Sequence, residues 1–261
     1  MKHTQTEYTT INLTGQIFSG DMLTSLAQGK EHYQAAADYN LLPGIRFADE
    51  ISRAFHIAQA LYEEFEKHKT DGTEPYKATT EFVIKFLTLS LGYISFRETK
   101  GEERVIGTTS YPVDFFAAEN VPLVIAPHTF ELEQTDGRFT TIKEGVSRKK
   151  SAFTLAQLYL NASKPCVWAI TCNGNEIRLL RDSDSMVRPQ YIAFDLHQIF
   201  EEKKYPDFAA LWYIMHSSRT EIWEKWRVEG VNQGSRVRDK LSDGVTFALL
   251  YLGAGFLNTT G

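Results

Sequence analysis

Apolar and polar positions alternate along this chain with a period that changes from segment to segment. From Phe47 to Lys69, the residues Phe47, Ile51, Phe55, Ala58, Leu61 and Phe65 recur at three- and four-residue steps with charged residues between them, which predicts a long amphipathic helix. A second helix is predicted over 78–91, with Thr79 or Thr80 as its cap, Phe82, Val83, Phe86, Leu87 and Leu89 on its apolar stripe, and Gly92 at its end. The period then shortens. Short strands are predicted at 93–96, 111–117 and 121–126, with 105–107 extending the first hairpin, and the polar stretch 131–150 reads as a loop.

The stretch from Ser151 to Asp182 organises the rest. Ala152, Leu155 and Leu158 have helical spacing, and Lys164-Pro165 closes that helix. Cys166 to Ile170 is an apolar run of the kind buried on both faces. Asn173-Gly174 supplies a tight reversal, and Ile177, Arg178 and Leu179 alternate as in a half-exposed strand. Beyond it come a strand at 190–194, a helix capped by Asp195, and a helix from Pro206 bearing Phe208, Leu211, Trp212, Ile214 and Met215. A helical tail from Glu221 to about Leu257 carries Val237, Leu241, Val245, Leu249 and Leu252 on one stripe. Ahead of all this, Ile17, Phe18, Met22, Leu23 and Leu26 predict a short docking helix.

The order helix, three strands, helix, strand favours an α/β fold whose mixed, partly parallel sheet has helices on both faces. Three segments follow: a helical N-terminal part (1–76), the α/β core (77–204) and a C-terminal helical connector (205–261). The order of the core resembles the PD-(D/E)xK nuclease fold.

Composition narrows the classes. With 261 residues and 43% hydrophobic content, the chain is long and apolar enough to bury a core, and is not disordered. A net charge of -5 excludes a basic nucleic-acid coat, so any DNA contact must come from a local face. Cys166 and Cys172 are six residues apart on extended chain, which predicts reduced core thiols in a cytosolic protein. The N-terminus lacks an apolar signal region and no run approaches about 18 apolar residues, so a cytoplasmic protein without a membrane span is expected. Glycine-rich phosphate loop, GxSxG elbow and N-P-P-[YF] tetrapeptide are all missing, which argues against ATP hydrolysis or base methylation by this chain. His128, His197 and His216 have no metal-ligand spacing.

A nuclease of the resembled fold holds Mg²⁺ on carboxylates, with a lysine near the attacking water. Glu81 on the 78–91 helix, the first of the core, and Asp114, after Tyr111-Pro112-Val113, are the candidate acids, with Asp114 as metal ligand. Gln157, followed by Tyr159, sits on the crossover helix where some nucleases of this fold place a glutamine. The next strand should end in an acid-x-lysine pair but reads Leu123-Val124-Ile125-Ala126-Pro127-His128, and Glu131 and Glu133 come late. No cofactor is therefore evident, and Mg²⁺ enters only if an active site is completed. Arg138, Lys143, Arg148, Lys149 and Lys150 face only Glu144 within their segment, which makes them candidate DNA-backbone contacts just ahead of a helix N-terminus. The cations of the C-terminal tail are interspersed with acids, as on a salt-bridged helix face.

Five ordered pieces carry a wider resemblance: 38–44 (Asp38 to Gly44), 155–161 (Leu155 to Asn161), Trp168 to Gly174 with Arg178 to Asp182, Tyr191 to Phe200, and Trp223 to Arg227 through Gly230 and Gly244. Together they resemble the N-terminal region of type IIG-like restriction–modification proteins, adenine-specific DNA methyltransferases also found in phage-defence clusters, over about residues 14–257. The resemblance implies a nuclease-like domain plus a helical connector, DNA as partner, and a methyltransferase or other defence subunit docked through the C-terminal helices. The missing acid-x-lysine pair departs from the active pattern, so the expectation is a catalytically degenerate domain, with a Mg²⁺-dependent endonuclease or a protein-interaction module as the alternatives.

Overall fold

A computed structural model describes residues 8–15, 17–19, 21–183 and 189–232. The chain opens with strand β1 (Ile11–Thr14), helix α1 (Met22–Ala27), helix α2 (Phe47–Thr70) and helix α3 (Pro75–Lys85), the last continued by a π turn over Phe86–Ser90. Three short strands follow: β2 (Arg97–Glu98), β3 (Val105–Ile106) and β4 (Thr109–Ser110). Then come β5 (Phe115–Ala118), β6 (Val121–Ile125), β7 (Asp136–Lys143), β8 (Val146–Lys150), α4 (Ala152–Ala162), β9 (Trp168–Cys172), β10 (Glu176–Arg181) and β11 (Gln190–Asp195). Helices α5 (Leu196–Glu201), α6 (Tyr205–Met215) and α7 (223–232) complete it.

Seven strands form one sheet in the order β1-β11-β10-β9-β6-β5-β2, and four form a second in the order β3-β4-β7-β8. Among the described strands only β6 and β9 run parallel, with Leu123 opposite Ile170 and Ile125 opposite Cys172. Helix α4 supplies the crossover that parallel neighbours require. The mixed sheet flanked by helices is thus as the sequence predicts. Alternation along the strands divides the interior in two. Leu123, Ile125, Ile170, Ile177, Leu179, Ile192 and Phe194 face α2, α3 and α6, while Val124, Ala169 and Leu180 face α4. Every residue of β6 and of β9 is buried, because both faces of these central strands are covered. Each fully buried Leu or Ile contributes roughly 1.5–3 kcal/mol. Side chains from Ile17 to Trp226 share the first of these cores.

The local differences from expectation have identifiable causes. Helix α3 starts earlier, at Pro75, because Glu74 caps it by accepting from the Tyr76 and Lys77 amides; Thr79 lies inside, its hydroxyl donating to the Pro75 carbonyl. Residues 93–96 are a turn after Gly92 (φ +75°), with Ile94 95% exposed, and the strand begins at Arg97. Strand β5 starts only at Phe115, since the chain folds tightly at Tyr111–Val113, where the Val113 amide donates to the Tyr111 carbonyl. The predicted loop 131–150 is largely a β-hairpin: Phe139 and Thr141 are buried at its root, and Glu144 (φ +50°) and Gly145 (φ +80°) form its two-residue turn. Arg178 is buried rather than half exposed, paired with Glu133 and Glu176 and lying over the Phe153 and Tyr191 rings. Burial works against its charge, but the two carboxylates outweigh it and hold its pKa above the usual range. The expected helical N-terminal segment contains a strand, β1, paired with β11 at the sheet edge. The C-terminal stripe from Val237 to Leu252 lies outside the described residues.

Arg219, 1% exposed, ties three segments together. It donates to the Tyr33 carbonyl at 2.6 Å and to the Asp38 carbonyl, and its guanidinium lies 3.9 Å from the centre of the Tyr39 ring. His216 beside it accepts from the Ser218 amide through Nδ1, and burial, then the charge of Arg219, pushes its pKa down to about 4. The folded state therefore holds a neutral imidazole. Unfolded chains bind a proton from pH ~6.5 downward, so stability from this group is complete above that pH and is lost as pH falls toward 4, up to about 3 kcal/mol. Urea titrations between pH 7 and 4 are expected to show that loss, and His216→Gln to lack it.

Candidate functional site

The corner where the sequence places catalytic acids is closed by cations. Asp114 immediately precedes β5. Its Oδ2 accepts from the Tyr76 hydroxyl at 2.8 Å, and its Oδ1 lies 3.0 Å from Nη2 of Arg104. Burial, and then the Asp114 charge, raise the Tyr76 pKa, so the phenol stays a proton donor to this carboxylate. Arg138 from β7 stacks on the other side of that phenol, 3.8 Å from the ring centre. Asp114 is thus held by the Arg104 guanidinium and the Tyr76 hydroxyl. Glu81 is committed elsewhere: Lys85, one turn along α3, lies 2.9 Å away, and this contact lowers the Glu81 pKa.

The other expected ligands do not converge on this corner. After β6 come Ala126, fully buried, and His128, whose ring meets Phe65 edge to face at 5.7 Å. Burial, then Lys69, lowers the His128 pKa. Glu133 is spent on Arg178. Glu131 lines a separate cleft of about 670 Å³ together with Glu176, Asp195 and Lys69, an environment too acidic to attract a phosphate. Among the described residues no group of three or more His, Cys, Asp or Glu is placed to hold a metal ion. Mg²⁺ needs free carboxylate oxygens in near-octahedral array. With Asp114 neutralised by Arg104 and Glu81 by Lys85, the residues present do not fit it. Gln157 is buried on α4 and its amide makes no hydrogen bond among the described residues.

The five cations proposed for DNA contact separate into three places. Lys143, Arg148 and Lys150 line one groove of about 480 Å³ that also holds one acid, Glu144, with Thr109, Tyr111, Thr141, Val146 and Leu158 on its other walls. The hairpin register explains the clustering, since Thr141 is opposite Arg148 and Lys143 opposite Val146, and alternate residues of a strand share a face. Lys149 therefore lies on the reverse face, and Arg138 belongs to the Asp114 corner. The amides at the start of α4 are already engaged: Ser151 caps the Thr154 amide and the Phe153 amide donates to the Leu132 carbonyl. An extended strand, not a helix terminus, displays these charges.

Partnering singles out Arg148 among the described arginines. Among the described arginines, Arg46, Arg53, Arg97, Arg104, Arg178, Arg181 and Arg227 meet carboxylates, Arg219 meets carbonyls, and Arg138 meets a ring. The Arg148 guanidinium has none of these, and Lys143, Lys149 and Lys150 have no carboxylate partner among the described residues. Sequence reasoning found these residues through local charge, but missed Tyr76 and Arg104, whose roles depend on contacts across 38 and 10 residues of chain. Comparison with protein-family models, with curated proteins and with solved structures gave no match. No helix among the described residues is long and apolar enough to cross a membrane.

Proposed function

We propose that this chain is a DNA-associated domain on a PD-(D/E)xK nuclease-like scaffold that has lost its metal chemistry and contacts the nucleic-acid backbone through the β7–β8 hairpin. One observation carries the reading: Arg148, alone among the described arginines, has no carboxylate, carbonyl or ring to satisfy it, and it shares a groove with Lys143 and Lys150. The order of helices and strands and the five matching sequence pieces support a place in a restriction–modification or phage-defence system, where a methyltransferase or another defence subunit is the expected protein partner. Arg104 on Asp114 supports the loss of cleavage, since a tethered cation takes the charge a divalent ion would otherwise balance.

Fluorescence anisotropy with labelled DNA tests the binding. Each phosphate contact contributes a slope of about −0.9 in log K against log salt. The double variant Lys143→Gln/Arg148→Gln is therefore expected to flatten that slope by about 1.8 and to lower affinity roughly 50-fold at 0.1 M salt. Unchanged binding in that variant would remove the hairpin from the interface. Plasmid incubated with the protein and Mg²⁺ is expected to stay intact. Nicking that disappears in Asp114→Ala would instead establish the endonuclease, with Asp114 as its metal ligand and Glu81 its nearest helical acid.

A further inference from the structure

The hairpin that carries these cations is half of the four-stranded sheet, and its two faces differ. Ile142 and Lys143 pair with Ser110 and Thr109 of β4, so the sheet continues on the β7 side, while β8 is its edge. Alternation puts Val146, Arg148 and Lys150 of β8 on one face, with Lys143 directly across from Val146. That face does not look into open solvent. Tyr111, from the turn ahead of β5, and Leu158 of α4 form the wall beside it, and the space they enclose is the groove of about 480 Å³. The wall is apolar and held in place. Leu158 packs on the core beneath α4, and Tyr111, 8% exposed, meets the Tyr159 ring edge to face at 5.8 Å. Val146 adds a second apolar surface on the cation side and is 56% exposed. The acid of the groove, Glu144, accepts from the Thr108 hydroxyl, and the cations Lys143, Arg148 and Lys150 outnumber it.

A ligand for this recess needs negative charge along one side and apolar surface along the other. Duplex DNA supplies the charge but keeps the faces of its bases stacked inside, and their edges lie behind two rims of phosphate. A recess walled by a sheet and a helix cannot reach past those rims. An unpaired strand offers both parts at once, since its phosphates and the faces of its bases are open on the same chain. The size agrees, because cavities of about 300–1,000 Å³ enclose small organic ligands, and one nucleotide is a ligand of that size. We infer that the groove beside β8 takes an unpaired DNA strand, with Lys143, Arg148 and Lys150 on its phosphates and a base packed between Val146 and the Tyr111–Leu158 wall. This rests on the DNA-binding reading and narrows its ligand from DNA in general to a separated strand, with an apolar contribution that does not depend on salt.

Fluorescence anisotropy compares a labelled oligo(dT) of about 12 nucleotides with a hairpin duplex of about 12 base pairs at the same salt concentration. The wild-type protein is expected to bind the oligonucleotide about tenfold more tightly, the order of gain that packing one base on a protein wall provides. Val146→Ser is expected to weaken oligo(dT) binding about fivefold without changing its salt slope, and to leave duplex affinity at the wild-type value. Position 146 is exposed, so the melting temperature of the variant is expected to match wild type. Photocrosslinking of the wild-type protein to a strand carrying 5-iodouracil needs no variant, and its adduct is expected on Tyr111 or on its neighbours in the groove. Equal or tighter binding of the duplex, an adduct only outside the groove, or wild-type oligo(dT) affinity in Val146→Ser would overturn the unpaired-strand site and leave backbone contact standing. Failure of the wild-type protein to bind either DNA would overturn both.

Discussion

Gly174→Ala is expected to destabilise the protein by roughly 3–5 kcal/mol, through two effects that add. Gly174 has φ +83°, where an L side chain costs about 1–2 kcal/mol. The new methyl group would also stand 2.7 Å from Cε1 of Phe65 and closer still to its Cζ. Phe65 has no room to retreat: it is 1% exposed, stacked on Phe82 at 4.7 Å and flanked by Tyr62 and His128. Gly107→Ala separates the two effects, because Gly107 has φ +62° and nothing within 4 Å of the added carbon. Calorimetry should show a fall in melting temperature on the order of 10 °C for Gly174→Ala and only a few degrees for Gly107→Ala. Equal falls would mean that the turn does not press on Phe65.

Arg219→Ala is expected to cost about 4–5 kcal/mol and to loosen the segment from Tyr33 to Asn40 ahead of global unfolding. The guanidinium satisfies two carbonyls, those of Tyr33 and Asp38, and covers the Tyr39 ring. Removing it leaves buried acceptors without donors, each worth about 1–3 kcal/mol. The segment also depends on outside support for its shape, since Tyr33 (φ +58°) and Asn40 (φ +57°) both sit in the left-handed region. Hydrogen exchange should accelerate over 33–40 in Arg219→Ala more than elsewhere, with partial recovery in Arg219→Lys. Uniform acceleration across the chain would assign Arg219 to the global core instead.

What the sequence disclosed, and what it hid, follows from how far each interaction reaches along the chain. The long helix at 47–70, the crossover helix and the buried strands β6 and β9 are written in local periodicity, and Asn173-Gly174 marks its own turn. Here the side chain of Asn173 does more than permit a reversal: its Oδ1 accepts from the amides of Asn175 and Glu176. Strand β1 is invisible by the same criterion, because its four residues gain their meaning from β11, some 180 positions away. The hairpin β7–β8 was hidden by chemistry rather than distance. Glu144-Gly145 lacks the asparagine of the usual signal, and eight consecutive exposed residues mask the alternation of Phe139 and Thr141. For the candidate site, charge counting isolated the cations but not their separation onto different faces, which only the strand register determines. Asp114 was visible as an acid after a proline, whereas its ion pair with Arg104 and its hydrogen bond from Tyr76 were not.

The parallel β6–β9 pair with its α4 bridge also bears on the order in which the molecule assembles. Strands β9, β10 and β11 are close in sequence and pair antiparallel, so they can zip together with little loop entropy to overcome, whereas β1 must close a span of some 180 positions to reach β11. The meander and its crossover helix are therefore expected to form first and the N-terminal strand to add late, which pulsed hydrogen exchange would register as delayed protection over 11–14.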